Sequence, residues 1–215
     1  VYVIFGEEQM YVKNYTKMLL EAVAGKTPSD FNFHTFKGEI KLDELAAAMH
    51  VVPFMSEYNC VLLEDVFFDM MNDSDLKRIK DICTIQSEGT VLIISMLSNM
   101  PEKRKSAFDS IVKAADKTGS VCEFKKQNQN TVERYVAKWA NQNGKLISRV
   151  NASKLISYVG NDLTRLKNEV DKIYELPDED YQALMATVKK LSQHMEKQLG
   201  ARTLWKVVGT TESRN

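Results

Sequence analysis

Val1-Tyr2-Val3-Ile4-Phe5-Gly6-Glu7-Glu8-Gln9-Met10-Tyr11-Val12-Lys13 has the layout of a phosphate-binding loop without the residues that bind phosphate. An apolar strand runs into a glycine and then into a helix, as in P-loop proteins. The pattern G-x-x-x-x-G-K-[ST] needs a second glycine so that backbone N–H groups can wrap the phosphates, a lysine for the β- and γ-oxygens, and a hydroxyl for Mg²⁺. Counted from Gly6, those three positions hold Tyr11, Val12 and Lys13. A ring stands where the backbone must approach the nucleotide, valine carries no charge, and Lys13 offers no metal-ligating oxygen. The stretch is read as a degenerate P-loop in a nucleotide-binding fold that has given up its nucleotide. No catalytic residue, cofactor or metal is expected.

Outward from this opening, short β-rich runs alternate with helical spacing through about the first 125 residues. The expected strands are Val1–Phe5, Phe31–Phe36, Cys60–Leu63, Thr90–Ser95 and Val121–Phe124. Such alternation predicts an α/β fold, a parallel sheet with helices on both faces. The runs Cys60-Val-Leu-Leu63 and Thr90-Val-Leu-Ile-Ile-Ser95 are nearly continuous hydrophobic residues, as central strands buried on both sides require. Between them, Asp73–Ile85 sets Leu76, Ile79, Ile82 and Cys83 on one helical face. Pro101 stands at a possible helix start, with Phe108, Ile111, Val112 and Ala115 as the apolar stripe.

After Phe124 only helices are expected, which puts a domain boundary in the polar linker 125–129 and divides the chain into 1–126, 127–175 and 176–215. Asn130-x-x-Glu133 resembles a capping box opening a helix that buries Val132, Tyr135, Val136 and Trp139. A second helix spans Asn151–Val159 and stops at Gly160, and a third, capped by Asp162, carries Leu163, Leu166, Val170 and Ile173. Three short amphipathic helices make a small bundle. In 176–215, Pro177 introduces Tyr181, Leu184, Val188, Leu191 and Met195 at helical spacing, too few heptads for a coiled coil, and Thr210–Asn215 reads as a disordered tail.

Composition sets limits on function. The 29 Lys and Arg balance the 29 Asp and Glu, so no overall field draws the chain to nucleic acid or an anionic membrane, and partners must be held by local patches. Cys60, Cys83 and Cys122 are few, odd in number and set among apolar neighbours, which suits buried thiols in a reducing compartment better than disulfides or a metal site. The apolar runs are strand-length, so neither a membrane span nor a signal peptide is expected and a cytoplasmic location is the default. Val1 standing in mid-strand suggests that sequence precedes it.

The candidate binding site is the loop Met49-His-Val51-Val52-Pro53-Phe54-Met55-Ser56-Glu57-Tyr58, which leads straight into a central strand. Proline before two large apolar residues disfavours helix continuation and can present Phe54 and Met55 from a helix end. Two readings stay open on spacing alone. Phe54 plugs the core beneath the sheet edge, as most phenylalanines do, or it protrudes beside Val51 and Pro53 as a compact apolar plug for a partner's pocket.

Taken together, the opening VIFGEEQMYV, the segment VPFMSEYNCVLLED, the strand TVLIIS followed by EKRKSAF, the Trp139 helix and GNDLTRLKNEVDKI resemble the delta subunit of the bacterial DNA polymerase III clamp loader, over about Val1 to Glu175. The order and spacing of these segments carry the resemblance. It implies an AAA+ type α/β module without a working ATP site, followed by a small three-helix lid. It also implies a clamp-opening role: Pro53 and Phe54, with Val51 in support, would enter a pocket on the sliding clamp (the beta subunit) so that the ring opens for loading on DNA. ATP would be hydrolysed by other loader subunits (gamma/tau, beside delta prime), with DNA met indirectly through the complex and no membrane involved. The chain departs from the family in that 176–215 does not match the helical collar expected there, which puts pentamer assembly in doubt. It also lacks the Ser-Arg-Cys trigger and four-cysteine zinc module of the ATP-contacting relatives.

Other candidates are weaker. Glu64-Asp65 imitates a Walker B pair but has no nucleotide-bound Mg²⁺ to serve, so a strand-end turn or cap is preferred. Lys125, Lys126, Arg134, Lys138, Lys145, Arg149 and Lys154 make the helical region locally basic, and a solvated surface is favoured over DNA or acidic-subunit contact. His34, His50 and His194 are isolated. The alternative function is a divergent AAA+ class P-loop ATPase with a rearranged loop. A doubly wound small-molecule domain, with its ligand at the carboxyl ends of the strands, ranks last because those loops offer no convergent polar groups.

Overall fold

The computed structural model describes residues 1–85 and 89–174, together with residue 186. Apart from residue 186, the expected helix from Pro177 to Gly200 lies outside the described residues, as do the tail from Thr210 and His194.

Five parallel strands, β1 (Tyr2–Gly6), β2 (Phe33–Lys37), β3 (Asn59–Glu64), β4 (Thr90–Met96) and β5 (Ser120–Phe124), form one sheet in the order β2-β3-β4-β1-β5. Helix α1 (Gln9–Ala24) follows β1, α2 (Leu42–Met49) follows β2, α3 (Asp73–Thr84) follows β3 and α4 (Lys105–Thr118) follows β4. The period-two side-chain alternation of the strands sorts the core into two layers. Ile4, Cys60, Leu62 and Ile93 face α1, where Val12, Tyr15, Leu19 and Val23 meet them. Val3, Val61, Leu63, Leu92, Ile94 and Met96 point to the other face, onto Leu45 of α2, Leu76, Ile79 and Cys83 of α3, and Phe108, Ile111 and Ala115 of α4. The α/β sheet with helices on both faces is therefore as the alternation predicts. A buried hydrogen bond between Thr16 and Ser95 hydroxyls, 2.8 Å, ties α1 to β4.

Two boundaries differ from the periodicity for a nameable reason. Pro101 is buried outside α4, which begins only at Lys105. The intervening N–H groups of Glu102 and Arg104 are taken by Asp69, at 3.0 and 2.8 Å, from the 3-10 turn Phe68–Met70. A carboxylate distant in sequence thus caps this helix start. The second difference is β2, which starts at Phe33 rather than Phe31.

The chain divides into two compact units, Val1–Asn128 and Gln129–Asn215. The described part of the second holds α5 (Gln129–Gln142), α6 (Arg149–Val159) and α7 (Leu163–Tyr174), which pack together through Val132, Val136, Trp139, Ala152, Ile156, Leu163, Leu166 and Val170. Ser148 caps α6 by accepting from the Asn151 N–H at 3.2 Å, and Asp162 caps α7 by accepting from the Arg165 N–H at 2.8 Å.

Glu133 does not act at the start of α5, which already begins at Gln129. Its buried carboxylate accepts instead from Ser153 Oγ at 2.6 Å and Arg149 Nε at 2.8 Å, both on α6. The Ser153 hydrogen bond first, then that from Arg149, holds the Glu133 carboxyl below the usual range. A carboxyl depressed in the folded state stabilises at pH values above its unfolded pKa, and that contribution is lost as pH falls through the folded value. Acidification from neutral pH should therefore loosen the second unit. Glu133→Gln, which cannot ionise, should melt lower at pH 7 and lose less on acidification than the parent. An equal acid-induced drop in melting temperature for both chains would show that this carboxylate is not coupled to folding.

Candidate functional site

The loop between β1 and α1 is only Glu7 and Glu8, because the helix already begins at Gln9. Two residues do not provide the run of N–H groups that wraps a polyphosphate. Tyr11 lies against the Phe124 ring, centroids 5.7 Å apart. Val12, where a P-loop places its lysine, is 0 % exposed and belongs to the core layer of Ile4, Cys60, Leu62 and Ile93. Lys13 is exposed. Gly6 has a φ of +141°, and its Cα faces the Phe124 peptide so closely that a Cβ would stand 2.2 Å from the carbonyl oxygen. The glycine is required by the neighbouring strand.

A cleft of about 790 Å³ opens at the carboxyl ends of β1 and β5. Glu7, Glu102, Asp109 and Glu123 there outnumber Lys105, Lys125 and Lys126, so the cleft does collect charged groups that loop composition did not reveal. Their balance is on the acidic side, which disfavours a polyphosphate. Glu64 pairs with Lys37 at 3.3 Å. Asp65, buried and with φ 47°, accepts through Oδ1 from the N–H groups of Leu97, Ser98 and Asn99 at 2.6, 2.8 and 3.4 Å. The pair that imitates Walker B thus serves the sheet edge and the turn leaving β4.

At the opposite edge of the sheet, where the strands begin, α2 ends at Met49 and the loop leading into β3 carries the other candidate residues. Val51 and Pro53 are half-buried, whereas Phe54 is 64 % and Met55 93 % exposed. Phe54 is therefore no core plug. Met55 holds a left-handed backbone, φ 55°, uncommon for a residue with a long side chain. The loop is nonetheless tightly held. Asn59 donates from Nδ2 to the Ala48 carbonyl at 2.8 Å and pins the end of α2. Asn32, also buried, accepts the Phe54 N–H on Oδ1 at 2.8 Å and donates from Nδ2 to the Phe54 carbonyl.

Residues 2–125 match the family described as DNA polymerase III, delta subunit. The chain belongs to that family.

Among solved structures, this delta-family chain is similar to the DNA clamp loader delta protein of Bacillus subtilis, with a TM-score of 0.55 and 19 % identity over 81 % of this chain and 52 % of that one. The likeness is one of fold, and the chain spans about half the length of that protein. A DNA polymerase III gamma subunit-related protein of Thermotoga maritima aligns at a TM-score of 0.44 and 11 % identity, over 87 % of this chain and 72 % of that one. No curated protein sequence matches.

Of the sequence-singled residues, Val51, Pro53 and Phe54 share one loop, while Gly6, Tyr11, Val12 and Lys13 are dispersed among a strand contact, an aromatic pair, the core and solvent. Arg149, one of the basic residues of the second unit, is engaged by Glu133 and by Asn130 Oδ1 at 3.0 Å. Sequence reasoning missed Asn32, Asn59 and Phe31. Phe31 is 71 % exposed and sets its ring edge-on to Phe54, centroids 6.4 Å apart. Asparagine just before a strand was the available signal, since its amide readily substitutes for backbone partners. Among the described residues no helix is long and apolar enough to cross a membrane, and no cluster of three or more His, Cys, Asp or Glu is placed to hold a metal ion. Burial pushes the Cys60 thiol up to about 11 and that of Cys83 to about 12, so neither is a ready thiolate.

Proposed function

We propose that the chain is the part of a clamp-loader delta subunit that binds the replicative sliding clamp and opens the ring for loading on DNA, without hydrolysing ATP itself. The observation that carries this reading is the exposed Phe54 on a rigidly held loop, in a member of the DNA polymerase III delta family. Phe54 is the anchor, Pro53 shapes the loop that presents it, and Val51 supports it from below. Burying an exposed phenylalanine in an apolar pocket contributes about 2 kcal/mol, and an aromatic anchor at the centre of an interface contributes more. Clamp opening follows if the bound tip favours the open ring over the closed one, since a ligand shifts an equilibrium only by its differential affinity for the two states. The other loader subunits, gamma/tau and delta prime, would supply ATP hydrolysis, and the place of action would be the bacterial cytoplasm at the replisome. The second unit is read as the three-helix lid. The buried Val12 and the two-residue β1–α1 loop weigh against the divergent ATPase alternative.

The test is binding of this chain to the purified sliding clamp of its own organism, without nucleotide, beside Phe54→Ala. Submicromolar binding that weakens by about tenfold to a thousandfold on the substitution is expected. A well-folded chain that does not bind the clamp would overturn the proposal.

A further inference from the structure

We propose that the clamp-facing tip is built from two loops: Phe31, just before β2, shares the contact surface with Phe54, and Asn32 is the positioning residue that fixes the Phe54 backbone beneath both rings. This inference rests on the reading of Phe54 above. Asn32 uses both halves of its side-chain amide on one residue, accepting the Phe54 N–H at 2.8 Å and donating to the Phe54 carbonyl. Two bonds to the N–H and C=O of one residue fix orientation as well as distance, as a hydrogen-bonded residue pair of two neighbouring strands does. The anchor continues into the sheet, because the Asn32 carbonyl accepts from the Cys60 N–H at 2.8 Å where β3 begins. Asn32 N–H in turn bonds the Ser29 carbonyl at 2.9 Å, which closes a turn and leaves Phe31 turned outward.

The consequence is an exposed aromatic pair, Phe31 at 71 % and Phe54 at 64 %, in edge-to-face contact. Two rings in contact with each other and with water form a contiguous apolar patch of the kind that marks a binding surface. Held in place by Asn32, the pair meets a pocket without the ordering cost that a loose loop would carry. The occupant is the same apolar pocket of the sliding clamp, because the patch is continuous with Phe54.

The experiment measures affinity of the chain for its sliding clamp, and melting temperature, for the parent, Phe31→Ala, Asn32→Ala, Phe54→Ala and Asn32→Ala combined with Phe54→Ala. Phe31→Ala should bind about tenfold more weakly with an unchanged melting temperature, since its ring is exposed. Asn32→Ala should weaken the parent by about tenfold and leave Phe54→Ala unchanged, because without the ring there is nothing to position. A role confined to stability would weaken both backgrounds alike, and that outcome overturns the positioning role. Parent-like binding by Phe31→Ala overturns the composite surface. Should Asn32→Ala fold poorly, Asn32→Asp decides: it keeps the acceptor for the Phe54 N–H but sets a carboxylate against the Phe54 carbonyl, so parent-like affinity in it overturns the proposal. Unaltered affinity in Phe54→Ala would instead overturn the underlying reading of the tip, whatever Phe31 does.

Discussion

Replacing Val12 by lysine, the residue a working P-loop carries at that position, is expected to cost the first unit its fold at neutral pH without returning nucleotide binding. Val12 is 0 % exposed and enclosed by Ile4, Cys60, Leu62 and Ile93. A lysine there either brings an ammonium into hydrocarbon or deprotonates, and fully buried lysines are depressed by several pKa units. At 1.36 kcal/mol per unit the penalty at pH 7 is on the order of 4–5 kcal/mol, comparable with the whole stability of many domains. The sign with pH is definite. The folded state binds fewer protons at this site than the unfolded state, so stability rises with pH and should recover in part between pH 7 and 10. Denaturant unfolding of Val12→Lys at those two pH values, with Val12→Met as a neutral control of similar length, measures it. Adding Tyr11→Gly completes the glycine-lysine pair of the motif. A stable double variant that bound ATP would mean that the loop retains a latent site, and the divergent ATPase alternative would then be revived.

The same position shows why the fold was legible while part of the site was not. Strands Cys60–Leu63 and Thr90–Ser95 announce themselves because a strand buried on both faces must be apolar at every position, and β3 and β4 are buried in that way. Val12 and Tyr11 were legible as failures of a motif, since a fixed spacing from Gly6 assigns each a duty it does not meet. The exposed loop after α2 was legible through Pro53, which disfavours helix continuation into the large apolar residues that follow it. Phe31 and Asn32 were not. The pattern Phe31-Asn32-Phe33 alternates as a strand does, so periodicity extended β2 two residues too far, whereas the Asn32 side chain holds a loop 22 residues away. Asp69 at the start of α4 and Glu133 against α6 escaped for the same physical reason. A polar side chain's partner is chosen by tertiary proximity, and local spacing carries no record of it.

Gly6→Ala should destabilise the first unit by about 4 kcal/mol or more. Two costs combine. At φ +141° the backbone occupies a region that side-chain-bearing residues rarely enter, about 1–3 kcal/mol by itself. The new Cβ would also lie 2.2 Å from the Phe124 oxygen, with the Phe124 nitrogen and carbon at 2.6 and 2.7 Å. These are atoms of β5 paired to β1 in register at Gly6 and Phe124, and the same Phe124 carbonyl accepts the Glu8 N–H at 3.1 Å. Relief of the clash therefore requires separating β1 from the edge strand β5 and breaking the bond that holds the Glu8 N–H just before α1. Gly25 supplies the control: its φ is +80° but nothing lies within 4 Å of a Cβ there, so Gly25→Ala bears the conformational cost alone, about 1–2 kcal/mol. Chemical denaturation of the two variants separates sterics from backbone strain. Similar losses in both would mean that β1 and β5 are not held together as closely as this register requires. A much larger loss at Gly6 would assign its glycine to strand packing, the one part of the phosphate-loop layout that survives here for a reason unrelated to phosphate.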